Sequence, residues 1–176
     1  MTREHKNAKE NESGRSMVEM LTIVSIIAVI TIAAMESVRY AMFRFRVVNI
    51  QNEAENIAME TTKLYSSYRS MCRGQTDSEC SQNIQKTVCN NKIIPLGCSN
   101  DVGINLYGGS ILVGIDGRQL TVKYTQVPES VCFYLKDPAL TTWSIIESVA
   151  CRCEGTSLNG VCKFSNDTYA LEMTVK

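Results

Sequence analysis

Between Met17 and Met35 lie nineteen residues whose only charge is Glu19. As an α-helix that stretch matches the roughly 30 Å hydrocarbon core of a bilayer, so the pattern predicts a membrane span. Its carboxylate stands out, because an acid at mid-bilayer costs on the order of 2.5 to 3.5 kcal/mol and marks a function by default. No Gly or Pro occurs between Arg15 and Arg73, so nothing breaks the helix where the apolar run ends. Past the span, Phe43, Val47, Ile50, Ala54, Ile57, Thr61, Leu64, Tyr68 and Met71 recur at spacings of four and three, one stripe of the same helix with Thr61 its soft position. Arg44, Asn52, Glu55, Glu60, Lys63 and Arg69 fall on the other faces. A helix from Arg15 to Met71 is about 85 Å long. The stripe packs either on the chain's own C-terminal sheet or against another copy in a parallel coiled coil; a globular segment that follows at once favours the sheet.

The pattern changes after residue 71. From Cys72 to Asp101 the chain is rich in Ser, Asn and Gln, with Gly74, Pro95 and Gly97, and reads as a loop-rich connector with little apolar content. Ile111–Ile115 and Leu120–Val127 flank Asp116-Gly117, which suits the positive φ angles of a tight turn, and predict an antiparallel hairpin. A further strand is expected over Thr141–Val149. The chain closes on a clean alternation, with Tyr169, Leu171, Met173 and Val175 apolar and Ala170, Glu172, Thr174 and Lys176 between them. Together these elements give an α+β fold, a long N-terminal helix packed on a C-terminal antiparallel sheet.

Charge and cysteines narrow the picture. Eighteen basic and eighteen acidic residues balance, which argues against nucleic-acid binding. All eight cysteines lie at or beyond Cys72, as suits disulfides formed in an oxidising compartment. Zinc is disfavoured, since no close Cys pair has ligand spacing and the single histidine, His5, is far away. Lys and Arg flank the span too evenly to orient it, so the cysteines do so: residues 1–13, polar and mixed in charge, are cytosolic and the C-terminal part is outside. Pairing Cys72 with Cys80 and Cys89 with Cys98 is one choice among the many that eight cysteines allow. Cys151 and Cys153 are too close to bridge each other without strain. Asn166-Asp167-Thr168 has the form of a glycosylation acceptor but reads as a turn. Catalysis is not expected: no histidine lies outside the tail, and no Ser, Cys or Asp sits in a nucleophile motif. No cofactor or metal is expected either.

Gly14, Glu19 five positions later, and the long apolar helix that follows resemble the class III leader of type IV prepilins and type II secretion pseudopilins. The resemblance implies that a prepilin peptidase cuts Gly14-Arg15 on the cytosolic side, that Arg15 becomes an N-methylated first residue, and that Glu19 serves assembly. Arg15 departs from the family, which more often has Phe there. The freed amino group of one chain could neutralise Glu19 of a neighbour in a low-dielectric filament core and set the axial register, whereas in an ordinary anchor Glu19 would snorkel to the headgroups. Asn105-Leu106-Tyr107-Gly108-Gly109 and Pro128-Glu129-Ser130-Val131-Cys132 resemble, in order, the sheet opening and short helix of type IVb pilins. That resemblance also implies a bridge from Cys132 to Cys162.

The expected organisation is a leader over 1–14, a polymerisation half of the helix over 15–37, an amphipathic half over 38–71 and a Cys-rich head over 72–176. The expected role is a pilin-like subunit, inserted in the bacterial inner membrane and then built by the assembly machinery into a surface or periplasmic homo-oligomeric filament. Alternatives are a minor pilin or pseudopilin, and a single-pass anchor displaying a disulfide-rich binding ectodomain.

Overall fold

The computed structural model describes the backbone of residues 4–68, 72–116, 119–153, 157–158, 161–162 and 168–176, and side chains over 17–64, 72–116, 119–153 and 168–176. Helix α1 runs over Glu4–Tyr68 without interruption. Its residues up to Phe45 belong to one compact unit, and Arg46–Lys176 form a second, the head.

In the head, β1 (Cys98–Ser99), β2 (Val102–Ile104), β3 (Ser110–Asp116), β4 (Gln119–Val127), β5 (Ile146–Cys153) and β8 (Tyr169–Val175) form an antiparallel sheet in the order β1-β2-β3-β4-β8-β5. A separate pair joins β6 (Ser157–Leu158) to β7 (Val161–Cys162). The expected hairpin is β3 with β4, where Val113 faces Val122 and Ile115 faces Leu120; its turn residue Gly117 lies outside the described residues. The C-terminal alternation becomes β8, inserted between β4 and β5, with Leu171 and Met173 fully buried.

The stripe on α1 meets this sheet. Val47, Ile50, Ala54, Ile57 and Thr61 are all buried, together with Ile111, Val113, Val122, Tyr124 and Met173. Burying such aliphatic side chains is worth about 1.5–3 kcal/mol each, and this supplies the head's main cohesion. Leu64 and Phe43 are half-buried; the side chains of Tyr68 and Met71 lie outside the described residues.

Two expectations change. The segment after Cys72 contains a helix, α2 (Asp77–Asn90), started by a capping box: Thr76 Oγ1 accepts from the Glu79 amide, and the Glu79 carboxylate accepts from the Thr76 amide. The strand expected from Thr141 begins only at Ile146. The preceding loop has other partners: Thr141 Oγ1 donates to the Leu135 and Asp137 carbonyls, the Thr142 carbonyl accepts from Gln51, and the Ser144 amide donates to Glu55. Its polar groups are tied to α1 and to α3 (Glu129–Lys136), so they cannot join a ladder.

Candidate functional site

The apolar part of α1 is an exposed helix. Every large apolar side chain from Met17 to Met42 is at least half exposed, including Ile26 at 60%. The polar residues among them are largely silenced: the hydroxyls of Thr22, Ser25, Thr31 and Ser37 donate to carbonyls three or four residues back, at 2.7–3.0 Å. Backbone satisfied within the segment and hydroxyls turned inward are what a helix needs in hydrocarbon. By length and composition this helix, near the N-terminus, can cross a membrane. Glu19 is the exception on its surface, exposed and without an ion-pair partner among the described residues. Glu36, by contrast, pairs with Arg39 at 3.3 Å. Gly14 and Arg15 lie within the backbone of α1, and the side chain of Arg15 is outside the described residues.

The head is stapled by its cysteines. Cys72 bridges Cys80 and Cys89 bridges Cys98, so one end of α2 is tied to the segment before it and the other to β1. Cys132 bridges Cys151, with Cα atoms 6.0 Å apart, and links α3 to β5. A sulfur forms one such bond, so the bridge implied from Cys132 to Cys162 is not made. The reason is the topology: β5 runs beside β8 and passes under α3, which brings Cys151 to the buried face of Cys132. Cys153 is disulfide-bonded as well; the side chain of Cys162 lies outside the described residues.

The motif Asn105–Gly109 also has a structural task. Buried Asn105 accepts from the Tyr107 and Gly109 amides through Oδ1 and donates from Nδ2 to the Thr125 carbonyl at 2.7 Å. A Cβ on Gly109 would fall 2.2 Å from that carbonyl's oxygen, so only glycine lets the loop approach β4. The Pro128 motif opens α3, as the resemblance implies.

Between α1 and the sheet sits a polar group that the stripe does not show. Glu53 is buried, and its Oε1 finds no hydrogen-bond partner among the described residues; the same holds for the Tyr124 hydroxyl on β4. Burial pushes the Glu53 carboxyl from its usual 4.5 up to about 7. It also drives the Tyr124 phenol far upward, and the negative charge of Glu53 adds to that. On the outer face of the sheet a groove of about 500 Å³ runs beside α2, with Leu112 and Gly114 on its floor and Lys86, Asp101, Lys123 and Glu172 around it. Glu172 is held by Arg152 at 3.1 Å. No cluster of potential metal ligands occurs among the described residues.

Fold and surface together define a class: a disulfide-braced α+β head and, among the described residues, one apolar helix long enough to cross a membrane. The family model described as PilS N terminal matches residues 48–158, more than half of the 176-residue chain. The chain therefore belongs to the PilS N-terminal family and is related to type IV pilus-associated proteins. Membrane association fits that family. No curated protein and no solved structure matches the chain.

Proposed function

We propose that this chain is a type IV pilin-like structural subunit rather than an enzyme. A prepilin peptidase cuts it between Gly14 and Arg15, the new N-terminus is methylated, and residues 15–37 leave the inner membrane to pack against the same segments of other copies in a filament. Residues 38–71 join that stem to the outward-facing head of residues 72–176. The observation that carries the reading is the apolar half of α1, its large apolar side chains at least half exposed throughout, with one carboxylate near its start, Glu19, that has no ion-pair partner among the described residues. A cover of lipid suits the apolar residues of a precursor. A cover of neighbouring helices suits them in a filament, where the freed amino group of Arg15 on one copy neutralises Glu19 on the next and removes the cost of an unpaired charge in a low-dielectric core. The pilus-related family and the oxidised head, which belongs outside the cytosol, support this direction of assembly.

The test is Glu19→Ala in cells. The variant is expected to be processed at normal yield and to form no filaments, measured by immunoblot of the mature chain and electron microscopy of sheared surface material. Normal filaments from Glu19→Ala would overturn the charge-pairing role.

A further inference from the structure

β3 is an inner strand for only part of its length. On one side it pairs with β4 from Ile111 to Asp116, but on the other β2 reaches only Ser110 and Ile111. The remaining edge, through Val113 and Ile115, would present unpaired amides and carbonyls. Its sequence is hazardous: residues 110–115, Ser-Ile-Leu-Val-Gly-Ile, carry no charge and no proline. Identical copies of such a segment pair readily with one another.

Helix α2 fills that edge with two side chains. The Gln85 carboxamide accepts from the Val113 amide and donates to the Ile111 carbonyl at 3.1 Å, the two bonds that a neighbouring strand would otherwise make. One turn earlier, Ser81 donates its proton to the Asp77 carbonyl at 2.6 Å, which leaves its oxygen to accept from the Ile115 amide at 2.9 Å. The close approach needs Gly114, where a Cβ would lie 2.8 Å from Ser81 Oγ. Gln85 is buried at this contact, although glutamine is seldom buried. Disulfides at both ends of α2 hold the helix in place.

We propose that Gln85 and Ser81 act as a side-chain substitute for an edge strand and seal β3 against pairing with β3 of a second copy of this chain. The sealing stands on contacts within the head and does not rest on the filament reading. It also gives α2 a task apart from packing, since alanine at both positions would leave the edge's amides and carbonyls without these partners.

The experiment uses the full chain in detergent micelles, with residue-resolved hydrogen exchange and size distribution at rising protein concentration. In the Ser81→Ala, Gln85→Ala double variant, the Val113 and Ile115 amides are expected to exchange at least about tenfold faster, while Leu112 and Gly114, whose amides point to β4, stay protected. A thioflavin-positive multimer absent from the wild type is expected to form. Gln85→Glu retains the acceptor for Val113, so that amide is expected to keep wild-type protection; this variant decides the matter if the double variant fails to fold. Unchanged exchange at Val113 and Ile115 in a folded double variant, a wild-type size distribution, or Val113 fully deprotected in Gln85→Glu would overturn the proposal.

Discussion

From Met17 to Met42 the large apolar side chains of α1 stay at least half exposed, whereas Val47, Ile50 and Ile57 on the same helix are exposed by 1% or less. Both halves carry aliphatic residues, but only the second confines them to one stripe among polar residues. The second half is covered by the chain's own sheet and draws stability from it. The first half is left exposed, and an apolar surface of that size suits a cover of lipid or of other copies. One helix thus carries one apolar surface that the fold uses and one that it leaves exposed.

Substitution at matched residues breaks this comparison most sharply. Ile57→Ala is expected to lower the stability of the detergent-solubilised chain by about 2–5 kcal/mol, through the cavity it leaves. Ile26→Ala, at a site 60% exposed, is expected to change it by less than about 0.5 kcal/mol. Denaturant unfolding followed by the fluorescence of Trp143, which the Leu135 carbonyl holds through Nε1, measures both. Equal losses at the two positions would mean that the apolar half is also part of the folded core.

The polar exception in the covered half sharpens the contrast further. Glu53 carries a carboxyl raised by burial to about 7 from the usual 4.5, so the folded head binds its proton more tightly than the unfolded chain does. Stability from this group is complete below about pH 4.5, falls as pH rises toward 7, and is fully lost above it. Glu53→Gln is therefore expected to match the wild type near pH 4 and to exceed it at pH 8, by on the order of 1–2 kcal/mol once solvent screening is allowed for, with the difference developing between these limits. Identical pH profiles of the midpoint for the two proteins would rule out a buried, desolvated carboxyl. Around Glu53 the facing titratable group is Tyr124 on β4, with no charged residue three or four places away on α1 itself. Tyr124→Phe should have the smallest effect, a gain of up to about 1 kcal/mol, because it removes a buried hydroxyl that has no partner among the described residues.

Much of this architecture was legible in the residues. The stripe on α1, the β3–β4 hairpin and β8 follow from periods of about 3.6 and 2, which survive because each element buries one face. The helix α2 was legible too, in Thr76-x-x-Glu79 and in Cys80, Ile84 and Val88 four residues apart, but the polar composition around them obscured it. The late start of β5 was not legible, because Gln51 and Glu55, some ninety residues away, decide where the loop backbone finds its partners. Local pairing of Cys72 with Cys80 and Cys89 with Cys98 holds, since chain proximity and fold agree there. The partner of Cys132 depends on which strand passes under α3, a property of the whole sheet order. Glu53, Ser81 and Gln85 look like ordinary surface residues in the sequence, and only tertiary packing makes them singular.

The central claim is that the uncovered half of α1 exchanges lipid for identical helices once its N-terminal stub is removed. Intact mass and N-terminal sequencing of the chain recovered from sheared surface filaments test it most directly. The account predicts a chain that begins at N-methylated Arg15. A chain that begins at Met1 and stays wholly in the membrane fraction would contradict it.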